Sequence, residues 1–181
     1  FWDKPAAAGA AETYTVLLDD AVAAHTEKTH CTLEALRPET AYSLFVQWRS
    51  GSIGELTVRT TPTKHRLNVT AAPYFAQGDG ETMNTAALQK AIDDCGEQEA
   101  VYLPAGIYRT GALRLHSNME IFLEEGAVLQ GTAIPEDYLP RIPSRFEGIE
   151  MECYSSLLNL GTLDHTAGPN CENVILRGKG T

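Results

Sequence analysis

The chain has 181 residues, 43% of them hydrophobic, and a formal net charge of −10. Residues 1–63 carry five Lys/Arg against eight Asp/Glu and residues 64–181 nine against sixteen, so no cationic footprint for nucleic acid is present and no nucleic-acid partner is expected. No window approaches 18 apolar residues, which leaves no membrane-spanning helix and no membrane partner to expect. The four cysteines show neither Cys-x-x-Cys spacing nor a nearby His pair, so no metal and no cofactor is expected.

In chain order, the first 63 residues read as short strands without helical period. Thr13 to Leu18, Cys31 to Leu36, the alternating run Tyr42 to Arg49 and the run Glu55 to Thr60 are expected strands, with a turn at Ser50-Gly51-Ser52. Short antiparallel strands at this spacing predict a β-sandwich. Leu36-x-Pro38-x-Thr40-x-Tyr42 resembles the fibronectin type III signature, with Tyr42 as the corner tyrosine and Trp2 as the core tryptophan; that resemblance implies that the first strand lies upstream of Phe1. The expected domains are residues 1–62 and 65–181, joined by the short Pro-containing link Thr60 to Lys64. Phe1 follows no Met or leader, so any signal sequence is expected outside these residues.

From residue 64 onward one pattern dominates. Gly78-Asp79-Gly80-Glu81-Thr82 precedes a helix with Asn84 as expected N-cap, an apolar stripe at Leu88, Ala91, Ile92 and Cys95, and Gly96 to end it. Apolar runs at Val101–Leu103, Leu113–Leu115, Met119–Leu123, Ala127–Leu129, Leu157–Leu160 and Val174–Leu176 read as strands of a β-solenoid. The intervals from Tyr102 to Ile121, 19 residues, and from Leu158 to Ile175, 17 residues, suit coils stacked one on another. A helix ahead of the first coil would cap its open end.

The run from Gly78 to Ile92, Val101 to Tyr108, Gly111 to Leu113, Ser117 to Met119 and Glu125 to Leu129 is similar to the opening of a pectin-active right-handed parallel β-helix. Arg145 to Glu150, Ser155 to Leu158 and Asn173 to Thr181 narrow the resemblance to the polygalacturonases, family 28 of the glycoside hydrolases. The fold expected is therefore mainly β, a fibronectin III-like sandwich followed by the first coils of a right-handed parallel β-helix with an N-terminal capping helix. The resemblance implies inverting hydrolysis of α-1,4-galacturonosyl linkages in pectic polysaccharide by a secreted or periplasmic bacterial enzyme. A pectate or pectin lyase and a non-catalytic glycan binder are the alternatives.

Inversion needs one carboxylic acid and one carboxylate base on opposite faces of the bond. The family places them in Asn-Thr-Asp and Asp-Asp motifs followed by His-Gly and Arg-x-Lys; this ordered set does not occur here, and the expectation is that the catalytic half lies outside the chain. Asp79, Glu81, Glu124, Glu125, Asp93 and Asp94 read as turn, corner and helix-surface carboxylates, and Asp164 with His165 as a loop pair. The candidate substrate-binding residues are Arg145, Glu147, Glu150 and Tyr154, in a charged stretch read as a loop. A guanidinium grips a carboxylate bidentately, Arg141 stands near enough in sequence to reinforce it, and Tyr138 and Tyr154 are candidate sugar platforms. The opposing reading of Arg145 is a surface salt bridge to a neighbouring Glu.

Overall fold

In the computed structural model, described for residues 1–8, 12–49, 51–161 and 170–181, the chain forms two compact units, Phe1–Thr63 and Lys64–Thr181. The first holds four antiparallel strands, β1 (Tyr14–Leu18), β2 (Ala21–Thr26), β3 (Ala41–Trp48) and β4 (Gly51–Arg59), in the order β2-β1-β3-β4. Strand β2 was not expected. Its signal is Asp19-Asp20, the two-residue link of a tight hairpin, with φ of 49° and 64°; short acidic side chains tolerate the left-handed region that such links require.

Tyr14, Val16 and Tyr42 are the buried apolar side chains among the described residues of this unit. The Tyr42 hydroxyl accepts a hydrogen bond from the Arg37 amide at 2.9 Å, which ties β3 to the loop before it. Trp2 meets Tyr14 edge-on at 5.5 Å. Cys31 to Leu36 is not a strand: Ala35 takes φ 57°, which breaks the pleat, and the segment finds no ladder partner. With Phe1 and Trp2 it lines an apolar groove over Val16, Leu44 and Val46. One face of the sheet is thus met by irregular chain where a second sheet was expected. The turn between β3 and β4 also lies earlier than read, since Trp48 pairs with Gly51 across a link that includes Arg49.

The second unit runs β5 (His65–Asn68), β6 (Asp79–Met83), α1 (Thr85–Asp93), β7 (Glu99–Leu103), β8 (Gly106–Thr110), β9 (Leu113–Arg114), β10 (Met119–Leu123) and β11 (Ala127–Gly131), a 3-10 turn at Pro135–Tyr138, then β12 (Ile142–Phe146), β13 (Ile149–Cys153), β14 (Leu158–Asn159) and β15 (Val174–Gly178). Three parallel sheets result: β15-β10-β7-β5, β11-β8-β6 and β14-β9. Ile121 stands opposite Val101 and Val128 opposite Ile107, so each coil lies on the one before. The interior is a single cluster that includes Val69, Leu88, Ile92, Val101, Leu103, Tyr108, Leu113, Met119 and Ile121. Stacking demands this, because a single coil cannot close its core alone and must bury its inward side chains against its neighbours.

Leu158 and Ile175, read as one coil apart, belong to different sheets: Leu158 pairs with Leu113, and Ile175 with Glu120. The 17-residue interval therefore separates two successive strands of one coil, β14 on β9 and β15 on β10, and not two stacked rungs. The helical stripe is buried as expected at Leu88, Ala91, Ile92 and Cys95. Asn84 stands at the N-cap position but makes no side-chain cap. Its Oδ1 accepts from the Gln77 amide at 2.7 Å and its Nδ2 donates to the carbonyls of Gln77 at 2.9 Å and Thr82 at 2.8 Å. At 2% exposure the amide serves buried backbone that has no strand partner, a stronger claim on it than an accessible helix end. The helix ends at Asp93 with Asp94 in right-handed conformation; Gly96 instead donates its amide to Glu99 Oε2 at 2.9 Å.

Candidate functional site

The insertion between β11 and β14 is a β-hairpin, not the loop its charge suggested. Arg145 pairs with Glu150, and Phe146 with Ile149, across the link Glu147-Gly148. Both link residues have positive φ, 48° and 87°, the geometry of a tight two-residue hairpin turn. The missed signal is Ile149-Glu150-Met151-Glu152-Cys153, a strict alternation directly after Glu-Gly. Pro143, Arg145, Glu150 and Glu152 share one face; Ile142, Ser144, Ile149, Met151 and Cys153 share the other.

The base of this hairpin is pinned to the solenoid. The Ala112 amide donates to Asp137 O at 3.0 Å and the Ser155 amide to Tyr138 O at 3.0 Å. Thr132 Oγ1 donates to Asp137 Oδ2 at 2.6 Å, and the Tyr138 hydroxyl to Thr132 O at 2.7 Å. Tyr138 is therefore tied through its hydroxyl to the end of the coil at Thr132.

Arg145 is exposed and, among the described residues, makes no ion pair. The salt-bridge reading is not realised, although Glu150 stands directly across the hairpin. Glu147 occupies the turn and Glu150 the opposite strand, so these three come together at the hairpin's outer end. Tyr154 and Arg141 form a separate pair at the base, with the guanidinium 4.7 Å from the ring centroid and Nη2 donating to the hydroxyl at 3.3 Å. That hydrogen bond holds the Arg141 guanidinium above its ordinary pKa. Arg141 therefore supports Tyr154 and not Arg145, and Tyr154 offers its remaining ring surface, 41% exposed, to solvent.

Asp79, Asp93, Asp94 and Glu124 have structural employment. Asp79 accepts from the Thr82 hydroxyl at 2.7 Å and from the amides of Thr82 and Glu81 at 2.8 and 2.9 Å; the Thr82 hydroxyl first, then those amides, hold its carboxyl below the usual aspartate range. Asp93 accepts from Gln89 and Asp94 from Lys90, each at 2.8 Å. Glu124 accepts from the Tyr102 hydroxyl at 3.0 Å. Asp164 and His165 lie outside the described residues. Asp19-Asp20, Asp93-Asp94 and Arg177-Gly178-Lys179 match single members of the family's catalytic motif set as strings. They fall in a hairpin link, on a helix surface and at the end of β15, where Arg177 Nε meets Glu120 Oε1 at 2.6 Å. Among the described residues no group of three or more His, Cys, Asp or Glu is placed to hold a metal ion.

Residues 67–132 match the family model described as rhamnogalacturonase A/epimerase, pectate lyase-like. The chain is 37% identical over 131 residues to an exo-poly-alpha-D-galacturonosidase of Dickeya chrysanthemi, covering 72% of this chain and 21% of that protein. It is 39% identical over 86 residues to a probable polygalacturonase of Vitis vinifera, covering 45% of this chain and 18% of that one. The chain thus spans about a fifth of the length of the curated relatives it matches. Among solved structures, a family 28 exopolygalacturonase of Yersinia enterocolitica superposes with a TM-score of 0.78 at 25% identity, over 98% of this chain and 37% of that one. A hyperthermoactive exopolygalacturonase of Thermotoga maritima does so with a TM-score of 0.51 at 33% identity, over 64% of this chain and 24% of that one.

Proposed function

We propose, for a chain that matches the N-terminal part of the family 28 polygalacturonases, that the whole protein hydrolyses α-1,4-galacturonosyl linkages of pectic polysaccharide with inversion. The observation that carries this reading is the likeness to exopolygalacturonases in sequence and in structure together, the Yersinia match extending over 98% of the chain. The two carboxylates of inversion are assigned to the part of the relatives that this chain does not span. The family model is described as pectate lyase-like and so does not by itself separate hydrolysis from elimination; the named relatives favour hydrolysis.

The chain's own contribution is a rigid solenoid that carries the β12–β13 hairpin. Arg145, with Glu147 and Glu150 around it, is the candidate for pairing with a galacturonate carboxylate, and Tyr154 for stacking on a sugar face. Residues 1–62 are read as a fibronectin III-like module, supported by the Tyr42 hydroxyl anchor and the four-stranded antiparallel sheet. A secreted or periplasmic bacterial setting accords with a polymer substrate and with the Dickeya relative. The test is to follow the full-length protein on polygalacturonate by proton NMR. Reducing ends released first as the β-anomer support inverting hydrolysis; α-anomer product or an unsaturated product overturns it.

A further inference from the structure

We propose that Arg114 is a second carboxylate-binding residue for an acidic polysaccharide, presented from the outer face of the β9–β14 sheet. The proposal rests on the function proposed above and deepens it. Arg114 lies between the buried Leu113 and Leu115 and is itself exposed, so strand alternation sends its guanidinium to the solvent side.

Its backbone is held along both edges. On one side the Leu113 amide donates to Leu157 O at 2.8 Å and the Leu115 amide to Asn159 O at 2.9 Å. On the other, the Gln89 side chain stands in for a missing strand: Oε1 accepts from the Arg114 amide and Nε2 donates to the Arg114 carbonyl, each at 2.9 Å. A side chain rooted in a fixed backbone loses less freedom on binding than one on a free loop.

Arg49, Arg66, Arg177, Lys64 and Lys90 each lie within 4.0 Å of a carboxylate, whereas Arg114, like Arg109, Arg145 and Lys179 of the same unit, has no ion pair among the described residues. The hairpin base is pinned at Ala112, next to the start of β9, where its amide donates to Asp137 O, and the chain leaving β13 reaches β14 five residues later. The hairpin that bears Arg145 and the strand that bears Arg114 therefore arise at one edge of the same small sheet. A polymer with a carboxylate on every sugar, approaching a chain of net charge −10, needs more than one local cation to be held.

The test uses the full-length protein, with Arg114→Gln and Arg114→Lys, and measures binding to polygalacturonate by affinity electrophoresis beside reducing-end release. Arg114→Gln should weaken binding and raise KM about fivefold or more with kcat unchanged, and should leave methyl-esterified substrate nearly unaffected. Arg114→Lys, which keeps the charge, should retain most of the binding. Unchanged binding in Arg114→Gln with an active wild type overturns the role of Arg114 and leaves hydrolysis standing. Equal losses from Gln and Lys also overturn it, since charge would then not be the cause. A wild type that binds but does not cleave, with binding lost in Arg114→Gln, overturns the hydrolase reading and keeps Arg114. A wild type that neither binds nor cleaves overturns both.

Discussion

Tyr42 shows how one hydroxyl can commit a residue. The ring is 6% exposed and its oxygen is the acceptor for the Arg37 amide; removing the oxygen leaves that amide without a partner in a partly buried site. Tyr42→Phe should destabilise the first unit by roughly 1–2 kcal/mol, read as a lowered calorimetric transition. An unchanged transition would remove the best single residue supporting the fibronectin III-like reading. Arg145 makes the opposite case, a charge without a partner among the described residues. If it pairs with a galacturonate carboxylate, Arg145→Ala in the full-length protein should raise KM for polygalacturonate about tenfold, equal to about 1.4 kcal/mol of lost binding. Methyl-esterified pectin should feel the change far less, and equal effects on both substrates would count against the pairing. Asn84 was the residue most misread. In sequence it stands before a helix and looks like a cap, but the fold places the Gln77 backbone beside it, and a buried orphan amide outbids a solvent-facing one.

At the scale of elements, the coils depend on rungs that approach without side chains between them. Gly178 has φ 127° and no room for a Cβ, which would collide with the Leu123 carbonyl oxygen; Gly180 would meet Ala127 O at 2.6 Å. Gly178→Ala should therefore force β15 off β10 and lower the stability of the second unit by about 2 kcal/mol or more. Thermal unfolding checks this, and a wild-type melting temperature would show that the rung yields at little cost. The hairpin illustrates a different dependence. Its strands bury little, and Ile149 and Met151 are 63% and 48% exposed, so its shape comes from the turn at Glu147-Gly148 and the anchors at its base rather than from a core. That is why hydrophobic runs did not reveal it, and the alternation that follows Glu147-Gly148 was the signal left unread.

Taken whole, the second unit is a scaffold that places polar side chains on the outside of stacked coils, and the function proposed above assigns the catalytic carboxylates to coils that this chain does not span. The 181-residue chain by itself should release no reducing ends from polygalacturonate, while the full-length protein should. Turnover by this chain alone, measured with a reducing-sugar assay, would place the catalytic carboxylates within residues 1–181 and overturn their assignment.

The solenoid was written in the sequence because its physics is local and repeated: apolar side chains every second residue, glycine or asparagine at the corners, a helical stripe at Leu88, Ala91, Ile92 and Cys95. Met119–Leu123 was read with its observed bounds for that reason. Which rungs pair was decided only by the tertiary structure, since Leu158 finds Leu113 across 45 residues and Val174 finds Met119 across 55, distances that no local period encodes once an insertion intervenes. The same limit governed the candidate site. The residue types of Arg145, Glu147, Glu150 and Tyr154 were legible, but that Arg141 would turn to Tyr154, that Glu147 would form a turn and that Gln89 would brace Arg114 depend on backbone brought together from distant parts of the chain.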